Sequence, residues 1–258
     1  MKTSIVWFRK SLRLHDNPAL ISACENEQVD SILPLFIFDP DVVGKDYQNL
    51  SPNRFRFLIE SLSDLDNQLS SKYGSQLLLI QGKPEDIFSD IKDSMGESFD
   101  SLYCEYSSEP WERQKLSSIK QVLSTKNEQT QVLSFDAFHT ILDVEKAISS
   151  PGYRNPKSMK DMDKVFSSNF DKNEHGFYNI SDPIPEPLEI KPYPRPTKFD
   201  SLSIDQLADQ ISQKLNTDIM SAKSYFPGGE TEALSRLTKK VSGQVEYVNT
   251  FRKPKTMS

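Results

Sequence analysis

The stretch Ser4-Ile5-Val6-Trp7-Phe8-Arg9-Lys10-Ser11-Leu12-Arg13-Leu14-His15-Asp16-Asn17-Pro18-Ala19-Leu20 sets the fold. Ser4 to Phe8 is a short apolar run of the kind buried on both faces of a sheet. A polar turn follows, and then Asp16 or Asn17 ahead of Pro18 gives the cap-and-proline start of a helix bearing Leu20, Ile21 and Cys24. Four more apolar segments repeat the pattern: Ile32 to Phe38, Leu77 to Ile80, Ser101 to Tyr106 and Gln131 to Phe135. Helical patterns separate them. The clearest opens at Ser51-Pro52, carries Phe55, Leu58, Ile59, Leu62, Leu65 and Leu69 at helical spacing, and stops near Gly74. Pro84 opens another with Ile87, Ile91 and Met95 on one face, and Pro110 a fourth with Leu116, Ile119 and Leu123. This alternation predicts an α/β fold: a doubly wound, Rossmann-like, five-stranded parallel sheet with helices on both faces.

After Phe135 the periodicity weakens, with short helices expected within His139 to Ile148 and over Ser158 to Phe166. Prolines then recur from Ser181 to Pro196, fixing φ and removing donors, so this is an extended, semi-rigid linker. A short helical tail follows, Ile204 to Leu215 and Thr231 to Val241. The second helix has Ala233, Leu234, Leu237 and Val241 on one face and closes at Gly243. The organisation read from this is an α/β domain over 1–180, a Pro-rich linker over 181–202 and the start of a helical part over 203–258.

Composition narrows function. The formal charge is −6 over 258 residues, which opposes a broad basic surface for DNA. The mean hydropathy is −0.56, and no apolar run approaches the roughly 18 residues of a membrane span. Cys24 and Cys104 sit in apolar contexts without cysteine or histidine at ligand spacing, which predicts buried free thiols rather than a zinc site. Free thiols fit a reducing compartment, hence an intracellular setting, nuclear or cytoplasmic. The turn Arg9-Lys10-Ser11-Leu12-Arg13 has no glycine, so a phosphate-cradling loop for nicotinamide cofactors is not expected there. Arg9, Lys10, Arg13, His15 and Asp16 crowd the edge where doubly wound folds bind ligands. They can form an ionic network that pins the turn, or they can line a pocket. His139 reads as a loop histidine and His175 as solvent exposed.

The run Trp7 to Leu20 resembles the opening of the photolyase/cryptochrome family of light-driven flavoproteins. Leu35-Phe36-Ile37-Phe38-Asp39-Pro40, Asn53-Arg54-Phe55-Arg56-Phe57-Leu58, Gly82-Lys83-Pro84, Glu109-Pro110 with Arg113, and Ser134 to Leu142 are similar to it in register. Phe226-Pro227-Gly228-Gly229-Glu230-Thr231-Glu232-Ala233-Leu234 resembles the form found in animal cryptochromes and six-four photolyases.

This resemblance implies an antenna domain, in which a deazaflavin or folate sits at the strand C-termini and passes excitation to FAD. It places Arg9, Phe36, Asp39 and Glu109 at that cleft, and it puts Ser107 where deazaflavin-binding relatives often have an acid. Tyr247 is the one transferable FAD contact. The resemblance further implies that the helical FAD domain is missing from this chain, so no catalytic residue is assigned and catalysis by the chain alone is not expected. Light-driven repair of pyrimidine photoproducts in DNA, or blue-light and circadian signalling, is implied for full-length relatives, where DNA is a partner. For this chain the implied partners are the missing helical domain or another protein, with no membrane. An interaction module and an antenna-chromophore domain are the alternatives.

Overall fold

The computed structural model describes residues 1–125, 128–135, 143–179, 182–194, 201–221 and 226–242. Five parallel strands form one sheet: β1 (Thr3–Phe8), β2 (Ser31–Phe38), β3 (Leu78–Gln81), β4 (Phe99–Glu105) and β5 (Gln131–Phe135), in the order β3-β2-β1-β4-β5. Every residue of β1 and β2 is buried. At their N-terminal ends the polar side chains meet each other: Thr3 Oγ1 lies 2.9 Å from Ser31 Oγ, and Ser4 Oγ lies 2.6 Å from Ser101 Oγ. Each hydroxyl thereby recovers the partner that burial removes.

The first helix α1 (Pro18–Cys24) is capped by Asn17, whose Oδ1 accepts from the Leu20 amide at 3.1 Å. A single turn, α2 (Pro40–Val43), was not expected; Asp39 caps it by accepting from the Asp41 amide at 2.9 Å. The long helix α3 (Pro52–Tyr73) starts and stops where proline and glycine predict. Gly74 closes it in the left-handed region at φ 63°, while Ser51 holds the cap position without a side-chain cap bond. Next come α4 (Pro84–Met95) and α5 (Pro110–Leu123), then the short α6 (Val144–Ser149) and α7 (Met159–Asn169). The tail contains α8 (Ile204–Leu215), closed by Asn216 at φ 47°, and α9 (Glu230–Leu237), which runs on into one wider turn over Thr238–Ser242. His139, Gly243 and Tyr247 lie outside the described residues.

Alternate side chains of the strands feed two cores, as two-sided burial requires. Val6, Phe8, Phe36, Phe38 and Leu79 join α1 and α3 on one face. Ile5, Trp7, Leu35, Ile37 and Leu102 join α4 and α5 on the other. Phe55, Ile59, Leu62, Leu65 and Leu69 of α3 are all buried, each stabilising by about 1.5–3 kcal/mol. Both cysteines are free thiols, Cys104 buried and Cys24 partly so, and burial pushes each up to about 12.

The proline-rich segment is strapped to the sheet. The Ile32 amide donates to the Lys191 carbonyl at 2.8 Å, and the Tyr193 amide donates to the Ile32 carbonyl at 3.2 Å, extending the sheet beside β2 where β3 has not yet begun. Ile190 is buried in the first core, and so are Leu207, Ile211 and Ile219 of the tail. Residues 203–221 therefore contribute core to the α/β layer. Ile211 is fully buried, so Ile211→Ala is expected to lower the unfolding free energy by about 2–5 kcal/mol in urea. A change below about 0.5 kcal/mol, the size of an ordinary surface substitution, would show that α8 does not belong to that core.

Candidate functional site

The sheet order reverses between β1 and β4, and the loops leaving the strands there define the expected ligand crevice. A cavity of about 220 Å³ lies at this edge. Trp7, Arg9, Phe36 and Asp39 line it from the ends of β1 and β2, Leu58 from α3, and Glu112 and Lys115 from α5. Of the residues expected at the cleft, Arg9, Phe36 and Asp39 are thus in its wall. Glu109 stands beside it, on the rim. Its Oε1 accepts from Lys10 Nζ at 2.8 Å and its Oε2 accepts from Trp111 Nε1 at 2.7 Å. Ser107 Oγ accepts from the Glu109 amide at 3.3 Å.

The charges in the wall are already matched. Arg9 forms an ion pair with Glu112, donates from Nη1 to the Glu105 carbonyl at 3.2 Å, and lies 4.6 Å from the centre of the Trp7 ring. Both side chains of that pair are more than nine-tenths buried. Burial pushes the Arg9 pKa down, opposed by Cys104, Glu105, Asp39 and Glu109. Lys115 forms a second buried pair with Asp39 and reaches Asp41 Oδ2 at 3.1 Å. Burial disfavours the Lys115 ammonium, but its hydrogen bonds to Asp39 and Asp41 outweigh that, and its pKa lies above the ordinary lysine value. On the rim, the hydrogen bonds from Lys10 and then Trp111 hold the Glu109 carboxyl below its ordinary pKa.

Sequence reasoning missed both partners, Glu112 and Lys115. They sit at i and i+3 on the buried side of α5, a helix read only for its apolar stripe.

A deazaflavin or folate does not fit this cleft as it stands. Its volume is below the roughly 300–1,000 Å³ of usual small-molecule sites. The two charged residues in its wall that were expected at the cleft, Arg9 and Asp39, are committed to Glu112 and Lys115. Separating either buried pair leaves an uncompensated charge, at a cost of about 3–5 kcal/mol. Among the described residues, no group of three or more His, Cys, Asp or Glu side chains could hold a metal ion, and no helix is long and apolar enough to cross a membrane.

The family model described as DNA photolyase matches residues 4–188, and the chain belongs to that family. It is 31% identical over 262 residues to cryptochrome-1 of Spalax judaei, covering 98% of this chain and 40% of that protein. It is also 31% identical over 261 residues to the (6-4)DNA photolyase of Arabidopsis thaliana, covering 98% of this chain and 43% of that one. The chain thus spans about two-fifths of the curated relatives it matches. A cryptochrome of Synechocystis superposes with a TM-score of 0.68 at 19% identity, over 93% of this chain and 46% of that one, which shows the shared fold.

Replacing Lys115 by methionine keeps the stem and removes the charge. The variant is expected to lose about 3–5 kcal/mol in urea unfolding at pH 7, because Asp39 is left buried and unpaired. Since the folded-state pKa of Lys115 is raised, its contribution is complete below the ordinary value of 10.5 and fades as pH rises through the folded value. The gap between wild type and variant should therefore narrow only above pH 10.5. A gap that is constant through that range would show that the pair does not stabilise the fold through charge.

Proposed function

We propose that these residues act as a non-catalytic α/β module of the photolyase/cryptochrome type, a platform for protein contacts rather than a site of light-driven chemistry. The observation that carries this reading is the cleft at the strand C-termini, small and internally ion-paired where an antenna chromophore would have to enter. The relatives' DNA repair and light signalling, and the FAD that the resemblance implies for them, are ascribed to a helical domain beyond the two-fifths of their length matched here. The chain order is kept as an α/β domain over 1–180, a linker over 181–202 and a helical start over 203–258, with Ile190 and residues 203–221 packed into the core of the first part. Two free thiols suit an intracellular setting, nuclear or cytoplasmic.

Tyr247 is the sole flavin contact that transfers, and a stacked aromatic contributes about 1–3 kcal/mol. Micromolar affinity needs about 8 kcal/mol net. The net charge of −6 gives no general attraction to DNA phosphates.

A protein of residues 1–258 alone is therefore expected to show no absorption band beyond the aromatic region, and FAD titration followed by flavin fluorescence should give no saturable quenching below about 10 μM. A dissociation constant tighter than that, abolished by Tyr247→Ala, would establish a flavin site and overturn the non-catalytic reading. A violet or near-ultraviolet band that co-purifies would instead establish an antenna site in the cleft.

A further inference from the structure

Helix α9 poses a packing problem. Leu234 is 39% exposed and Leu237 52% exposed, and Ala233 is exposed as well, so its apolar face is not what holds it against the rest of the chain. A helix of eight residues has little stability of its own in water. Its one buried residue is a charged one, Glu230, which is only 8% exposed.

The Glu230 carboxylate reaches across 216 residues of sequence to the loop that follows β1. Its Oε2 accepts from the Leu14 amide at 2.8 Å, and its Oε1 accepts from the His15 amide at 2.9 Å. Each oxygen thus takes one backbone donor, and Gln68 Nε2 on α3 approaches Oε2 at 3.4 Å. Charge-assisted bonds of this kind are shorter and stronger than neutral ones, and here they compensate a carboxylate taken out of water.

The return contacts run the other way. Glu60 Oε2 on α3 accepts from the Gly228 amide at 2.8 Å, and Asp64 Oδ2 accepts from the Thr231 amide at 3.0 Å. Close approach is what the paired glycines provide. A Cβ on Gly228 would strike the Phe57 carbonyl oxygen and Ser61 Oγ, and Gly229 holds φ 115° against Asp64. Backbone donors on each side are therefore met by carboxylates from the other.

We propose that the Leu14–His15 amide pair is a carboxylate-receiving site whose resident ligand is Glu230, and that this latch, not apolar burial, docks α9 on the α/β layer. The latch holds the Leu14–His15 end of the loop after β1, while Glu105 separately holds its Lys10–Ser11 end beside the cleft. The proposal does not depend on whether the cleft or Tyr247 binds a chromophore.

Backbone amide exchange on the full chain tests it. In Glu230→Ala, exchange at Leu14, His15 and residues 230–237 should quicken about tenfold or more, while Lys10 and Ser11, which are held by Glu105, stay within about twofold of wild type. Glu230→Gln fills the same space and keeps one acceptor oxygen, so its increase at Leu14 and His15 should be smaller than that of alanine. It also serves if the alanine variant folds poorly. Exchange at Leu14 and His15 within about twofold of wild type in both variants would overturn the proposal, as would an equal increase at Lys10 and Ser11.

Discussion

Backbone amides leaving β1 have no strand to pair with and no glycine-rich turn to turn them toward a phosphate, yet they lie beneath other elements and must be hydrogen-bonded. Side-chain carboxylates meet that need. Glu105, at the end of the neighbouring strand, accepts from the Lys10 amide at 2.9 Å and the Ser11 amide at 2.5 Å. Asp16, in the left-handed region at φ 53°, donates its amide to the Ile184 carbonyl at 2.7 Å and accepts from the Ile184 amide through Oδ1 at 3.1 Å. Arg13 folds over the same turn and donates to the Asp16 carbonyl at 2.8 Å. One loop thereby joins the sheet and the proline-rich strap, and its Leu14 and His15 amides donate to Glu230 of α9. That arrangement replaces, with fixed protein charges, the anion that a glycine-rich loop of the same topology would bind.

The cleft follows from the same economy of charge. Arg9 leaves this loop pointing under α5, and once its guanidinium is buried it needs a carboxylate, which Glu112 supplies. Asp39 leaves β2 on the other side and, with its cap role in α2, needs a cation, which Lys115 supplies one turn further along α5. Helix α5 is thus bolted across the strand ends by two opposite pairs, with Trp111 half exposed at the rim. The edge that a doubly wound fold offers to ligands is here spent on holding a helix.

Much of the fold was legible because parallel strands buried on both faces are short and apolar and because proline marks helix starts. Gln131–Phe135 and Ile204–Leu215 lie where the sequence places them, and Gly74 closes α3 as expected. The four-residue α2 was not legible, since one turn has no periodicity to read. Of the two readings left open for Arg9 to Asp16, the structure contains elements of both: Arg13 and Asp16 pin the turn, while Arg9 and Lys10 reach the cavity. The ion-pair partners Glu112 and Lys115 and the buried Glu230 escaped because charged residues on helices are ordinarily solvated. Their burial is decided by which elements pack together, information that spacing within one helix does not hold. The tight docking at Gly228 was likewise invisible, although the paired glycines were its trace.

The central claim, that carboxylates fix the loop after β1 as firmly as the sheet beside it, is most directly measured by native-state amide exchange of the unmodified protein. The account predicts that Lys10 and Ser11, whose amides donate to Glu105, exchange with opening free energies close to those of Ile5 and Val6 in β1. Exchange at those loop amides near the rates of unprotected surface loops, with β1 still slow, would contradict it.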